Sequence, residues 1–137
     1  MSELIVTVGS LRFVGRLEEK LAPGTCAAVR EILPFTNRLI QTRWSGEAAW
    51  VPLGDFDLGV GPENATSHLS RGDMLFYPAS ASETEFIFAY GSASFSSKMG
   101  QLAGNHFFSL SEGWEQLPEL GRRVLWEGAQ PFRIELA

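Results

Sequence analysis

An arginine beside a tryptophan, a histidine behind an asparagine, and two glutamates one residue apart are the side chains best placed to do chemistry. Arg43 leads the string Arg43-Trp44-Ser45-Gly46-Glu47. A guanidinium presented on a sheet face can grip a carboxylate with two parallel hydrogen bonds, or donate to an amide as it twists. The competing reading is a surface ion pair with Glu47, four residues on. Trp44 and Trp50 can wall a pocket nearby, although aromatic side chains more often fill cores. His106 titrates near neutral pH without tuning and follows Asn105, a possible orienting partner, so it can serve as an acid–base group or a hydrogen-bond donor. Against this, it stands beside Phe107 and Phe108, the setting of a packed and hydrogen-bonded histidine. His68, in a Gly-rich stretch, has a weaker claim. Glu83 and Glu85 alternate with Thr84 and Phe86, which puts both carboxylates on one strand face. Such a pair does acid–base work when one pKa is raised, whereas glutamates on a solvated strand face are commoner.

Other strings carry no chemistry. Two His and one Cys at unrelated spacings form no zinc signature. Asp55-Phe56-Asp57-Leu58-Gly59 starts like a calcium loop but lacks the third oxygen ligand and the closing Glu, and reads as an acidic turn. Gly59-Val60-Gly61 lacks the third Gly of a dinucleotide fingerprint. Asn64-Ala65-Thr66 is a glycosylation sequon only in a secreted chain. Arg71-Gly72-Asp73 reads as a turn before a strand. Neither a metal nor a cofactor is expected. Cys26 falls on the inner face of a helix with no basic neighbour and is expected to be inert.

These residues must be positioned by short elements. Leu4 to Val8 and Leu11 to Leu17, split by Gly9-Ser10, read as a β-hairpin. Thr25 predicts a helix N-cap, followed by Cys26 to Leu33 with apolar residues at helical spacing, and Pro34 ends the helix. Strands are expected at Leu39-Ile40, Ala48 to Val51, Met74 to Tyr77, Phe86 to Tyr90 and Phe107 to Leu110. Leu53 to Gly72 reads as loop. Ser111 to Arg123 has a helical pattern in which Pro118 demands a late start or a kink. Phe132 to Leu136 alternates cleanly and should be the closing strand. The fold class is mainly β, a closed antiparallel barrel of seven or eight strands with two short helices, in one domain spanning residues 1–137.

Several of these strings resemble the cyclophilins. Ala22-Pro23-Gly24-Thr25 leading into a helix, Gly54-Asp55-Phe56, Gly104-Asn105-His106-Phe107, and the stretch from Glu112-Gly113-Trp114 to the last strand carry the likeness. More closely, the whole chain resembles a bacterial family of unknown function with a cyclophilin-like fold, on Arg43-Trp44-Ser45-Gly46-Glu47, Pro62-Glu63-Asn64-Ala65-Thr66 and Gly104-Asn105-His106-Phe107. The resemblance implies a cyclophilin-like barrel. For a prolyl isomerase it implies Arg43 as the catalytic arginine, with Leu102 and His106 lining the groove. Gln101 replaces the groove tryptophan, and Pro52-Leu53 stand where the groove glutamine would be.

Composition bounds the function. The 137 residues are 45% hydrophobic, with ten Phe and four Trp, enough for one real core. A net charge of −5 with scattered Lys and Arg disfavours nucleic acid. No apolar stretch approaches the ~18 residues of a membrane helix. A single Cys and an N-terminus without signal-peptide features point to a reducing, cytoplasmic setting. The expected function is binding of a small, partly anionic molecule or a short peptide in a groove. Arg43 and His106 are the candidate catalytic side chains, and Trp44, Glu47, Trp50, Glu85, Leu102 and Asn105 the candidate ligand contacts. The alternatives are a weak prolyl isomerase, with Arg43 supporting the twisted amide, and a self-assembling subunit that buries an apolar patch in a homo-oligomer.

Overall fold

In the computed structural model, which describes residues 2–79 and 81–137, the first hairpin forms as its pattern dictates. Strand β1 (Glu3–Val8) pairs with β2 (Leu11–Leu17) from Val8 against Leu11 to Glu3 against Arg16. Gly9 takes the positive φ, 59°, that a two-residue hairpin turn requires. Leu4, Val6 and Val8 are wholly buried, because alternation sends every second side chain inward.

The first helix, α1 (Pro23–Glu31), begins earlier than a Thr25 cap would place it. Pro23 suits a first turn, where its missing N–H has no partner to lose. Ala22, at the cap position, has no capping side chain. Glu63 supplies one from far along the chain: its carboxylate accepts from the Gly24 N–H at 3.2 Å, the Thr25 N–H at 2.8 Å and the Thr25 hydroxyl at 2.8 Å. Thr25 therefore lies inside the helix, buried with Cys26 and Val29. Burial, more than the nearby Glu63 and Glu18 charges, pushes the Cys26 thiol up to about 11.

Strands β3 (Phe35–Gln41) and β4 (Gly46–Gly54) form the next hairpin. The loop stretch that follows contains two short strands, β5 (Ala65–Thr66) and β6 (His68–Leu69). Then come β7 (Asp73–Tyr77), the long β8 (Thr84–Ser94), a small hairpin of β9 (Ser96–Ser97) and β10 (Gly100–Gln101), and β11 (Gly104–Glu112). Ser111 and Glu112 thus finish a strand instead of starting a helix. A 3-10 turn over Trp114–Gln116 leads into α2 (Leu117–Trp126), with Pro118 in its first turn as its chemistry requires. Strand β12 (Gln130–Leu136) ends the chain.

Eight strands close in the order β2-β1-β12-β3-β4-β8-β7-β11 and back to β2, every pairing antiparallel. The interior is packed with phenylalanine: Phe13 meets Phe88 edge-on at 5.7 Å, and Phe86 contacts both Phe76 and Phe107 at 5.6 Å. Leu117, Leu120 and Val124 of α2 join that core. A second, smaller cluster forms on the outer face of β4, β7 and β8, where Ala48, Leu75, Ile87 and Ala89 are covered by Leu69, Phe95 and Leu102. Among the described residues, no helix is long and apolar enough to cross a membrane.

The closing seam pairs Gly15 of β2 with Leu110 of β11. A Cβ on Gly15 would overlap the Phe108 ring and come within 2.5 Å of the Ser109 carbonyl oxygen. Gly15→Ala should therefore destabilise the fold by about 3 kcal/mol, the upper end of what overpacking costs, seen as a lower urea midpoint at unchanged slope. Glu63→Ala should remove the α1 cap at a cost of about 1–2 kcal/mol, with faster amide exchange at Gly24 and Thr25. The Thr25 N–H bond is the main reason the Glu63 carboxyl is held below its ordinary range. Its stabilising effect is hence present above the usual carboxylate pKa and lost as pH falls through the lowered one. A wild-type acid transition unchanged in Glu63→Ala would contradict this.

Candidate functional site

Strand parity builds the site. Along β4, Ala49 and Val51 face the barrel interior while Ala48, Trp50 and Pro52 face out. Across the ladder Trp50 pairs with Ile87 and Pro52 with Glu85, so Glu85 shares that outer face. The segment through β9 and β10 folds back over the same face, anchored by Phe95, whose ring meets Tyr77 edge-on at 5.5 Å. Between the cover and the sheet lies a cavity of about 190 Å³ whose lining includes Arg43, Trp44, Trp50, Glu85 and Leu102. Five of the eight side chains singled out in the sequence thus meet at one place.

Buried Ser45 ties the two rims together. Its hydroxyl donates to the Ser96 carbonyl at 3.1 Å and accepts from the Ser96 N–H at 3.0 Å, and its own carbonyl accepts from the Ser94 N–H at 2.9 Å. The Thr42 hydroxyl and Gln41 amide brace the same loop from within, bonding the Ala48 and Gly46 carbonyls respectively. Arg43 and Trp44 are therefore presented from a fixed turn.

The charges of the site stand without partners. Glu85 is only 7% exposed, and no described residue donates a hydrogen bond to its carboxyl. Burial first, and the neighbouring Glu83 charge second, push it up to about 8. Glu83 itself accepts from the Gly54 N–H at 3.0 Å. Arg43 makes no ion pair or hydrogen bond among the described residues, and neither does Lys98, which lines the cavity from the β9–β10 turn. Lys98 and Met99 escaped the sequence reading. The turn string Ser96-Ser97-Lys98-Met99-Gly100 was their only signal, and nothing local says that it covers a pocket.

The other three singled-out residues lie elsewhere. Glu47 has the opposite parity to Trp50; its carboxylate accepts from the Ser92 N–H at 2.8 Å and packs over Gly91, so it neither pairs with Arg43 nor lines the cavity. Asn105 is fully buried and occupied: its amide donates to the Thr25 hydroxyl at 3.1 Å and the Gly61 carbonyl at 2.9 Å, and accepts from the Glu63 N–H at 3.0 Å. The Nε2 of His106 lies 3.0 Å from the Phe108 carbonyl, 2.9 Å from the Ser109 hydroxyl and 3.3 Å from Asp73. Burial disfavours its charged form, but the Asp73 hydrogen bond and charge, the Glu18 charge and the Phe108 carbonyl outweigh that and hold its pKa above the ordinary value. A second, shallower cavity of about 550 Å³, bordered by Pro62, Tyr77, Pro78 and Gln101, adjoins the first, with Ala81 and Leu102 common to both.

Glu85 should leave its mark on stability. Its folded pKa, about 8, lies above the ordinary 4.5. Over that window the unfolded chain has lost a proton that the native state keeps. Stability is thus favoured below about pH 4.5 and declines as pH rises through about 8. At ~1.4 kcal/mol per unit, reduced by water in the open pocket, the decline should reach a few kcal/mol. Glu85→Gln should flatten it and be the more stable protein at pH 8, as measured by urea unfolding across pH.

With this geometry, the chain can be set beside known proteins. No curated protein matches it. Among solved structures, the structure of McbB in complex with tryptophan superposes with a TM-score of 0.72 at 14% identity, over 96% of this chain and 44% of that one. The solution structure of the hypothetical protein AF2241 from Archaeoglobus fulgidus gives 0.62 at 17% identity, over 99% and 95%. At such identities the likeness shows the barrel fold alone, and this chain spans less than half the length of McbB. The family model described as "Protein of unknown function (DUF3830)" matches residues 4–136, so the chain belongs to that family.

Proposed function

We propose that the protein binds a small molecule carrying an anionic group in the cavity under the β9–β10 cover. The observation that carries this reading is the pair of unpartnered cations, Arg43 and Lys98, at a cavity walled by Trp44, Trp50 and Leu102. Apolar walls with a few oriented polar groups are the usual make-up of a ligand site. At about 190 Å³ the cavity falls below the roughly 300–1,000 Å³ of sites for drug-sized ligands, which favours a ligand of amino-acid size. Arg43 grips the carboxylate, the indoles give shape, and Ser45 holds the gripping loop in place before the ligand arrives. McbB, whose matching part covers 44% of its own length, was solved in complex with tryptophan, which is compatible with a ligand of this class.

A short peptide is the second reading, favoured by the shallower cavity that continues past Leu102. The cyclophilin-like character read from the sequence belongs with it. A prolyl isomerase on this chain would work with Arg43 and Leu102 alone, since the Nε2 of His106 is held by Ser109, Phe108 and Asp73 away from the cavity.

Indole-3-propionate is a suitable probe. A hundredfold excess over Kd should add about 2.7 kcal/mol to stability by mass action, read as a rise in Tm. Arg43→Ala should fold as well as wild type, because the guanidinium is exposed, and lose most of the rise. A rise equally large in the variant would remove Arg43 from the site, and no rise in either protein would count against the reading.

A further inference from the structure

We infer that the cavity is bipolar and takes a zwitterion of amino-acid size, its carboxylate on Arg43 and Lys98 and its ammonium on Glu85. The inference rests on the binding reading above and names the ligand class. Glu85 is more than nine-tenths buried, lines the cavity, and receives no hydrogen bond from any described residue. No buried side-chain nitrogen or oxygen among the described residues is left both enclosed and unpartnered. The Glu85 oxygens are therefore open to the cavity and not sealed in the core. A carboxyl held there, next to Glu83, is unfavourable for the empty protein. A glutamine or an apolar side chain would fill the space without the like-charge repulsion. What a carboxylate alone supplies is a counter-charge for a cation entering the same space, and Trp44 and Trp50, a residue type that attracts cations, line that space.

The binding step is a proton balance. Before binding, Glu85 holds its proton at neutral pH, because it titrates near 8. The arriving ammonium keeps its three protons and donates to the carboxylate, and the Glu85 proton leaves to solvent. The titratable groups around it are Glu83 just before its own strand, Tyr77 opposite it on β7, and Arg43 and Lys98 from the two rim turns. Affinity for a zwitterion should thus rise with pH, by at most tenfold per unit, and level off above about 8. A ligand with only a carboxylate gains nothing from an ionised Glu85 and is repelled by it, so its affinity does not rise with pH through this group.

Titration calorimetry with tryptophan, indole-3-propionate and tryptamine, on wild type and Glu85→Gln, tests this. In wild type at pH 8, tryptophan should bind about tenfold or more tighter than indole-3-propionate, and its affinity should climb several-fold per unit from pH 6 to 8. In Glu85→Gln, tryptophan should lose its advantage over indole-3-propionate, while indole-3-propionate should bind no more weakly than it does to wild type. If wild type binds tryptophan no better than indole-3-propionate, or without the rise in pH, the zwitterion assignment is overturned while the anion-binding reading survives. If Glu85→Gln weakens both probes alike, Glu85 only shapes the pocket, and the assignment is again overturned. Silence from all three probes overturns the binding reading itself, and this inference with it.

Discussion

The seam between β2 and β11 is the constraint on which the rest of the molecule depends. An open eight-stranded sheet would expose two edges of unpaired backbone, and closure removes both. Closure here requires the chain to pass under the Phe108 ring at Gly15, where the space for a Cβ is already taken. Once the seam is shut, each strand has a definite inside and outside. The interior fills with Phe13, Phe76, Phe86, Phe88, Phe107 and Phe108, all buried to 1% exposure or less. A barrel filled in this way has no room for a ligand at its centre, so the proposed site lies on its outer wall.

That wall is built by a second layer. The outer faces of β4, β7 and β8 carry small or aliphatic residues, Ala48, Leu75, Ile87 and Ala89, and the chain doubles back through Phe95 to cover them. Polar residues hold the opposite flank together. Asn105 links β11 to the Gly61–Glu63 loop, Glu63 caps α1, and Asn64 donates to the His106 carbonyl at 2.9 Å. This explains why the Asn105-His106 pair, chemically inviting in the sequence, is a structural joint: each side chain already has its partners.

The hairpin, the barrel class and the closing strand were legible because two-residue turns and alternation are local signals. The helix boundaries were less so. The α1 cap comes from Glu63, 39 residues from Gly24, and no short-range pattern announces such a partner. At the cavity, Arg43, Trp44, Trp50 and Glu85 were singled out by residue type and Leu102 by the family resemblance, whereas Glu47 has the opposite strand parity to Trp50 and lies elsewhere. Phe86 to Tyr90 is an unbroken apolar run, which marks a strand covered on both faces. A glutamate at the head of such a strand belongs in a buried setting, and that is where Glu85 lies. Lys98 remained invisible because its role depends on a fold-back that only tertiary packing of Phe95 produces.

The distribution of charge gives the strongest sign of what the scaffold is for. Several ionic side chains elsewhere find one another: Glu119 is gripped by Arg122 and Arg123, Arg133 pairs with Glu135, and Arg30 with Glu19. At the cavity two cations and a carboxyl occupy one small space and remain unpaired. Ser45 fixes how the rims sit against each other, since its hydroxyl bonds both ways with Ser96 and anchors the turn that carries Arg43. A surface under selection for stability alone would let such groups meet or replace them with apolar residues. Held apart, these groups offer complementary charge to a molecule that carries both signs, and a space of some 190 Å³ suits one of amino-acid size.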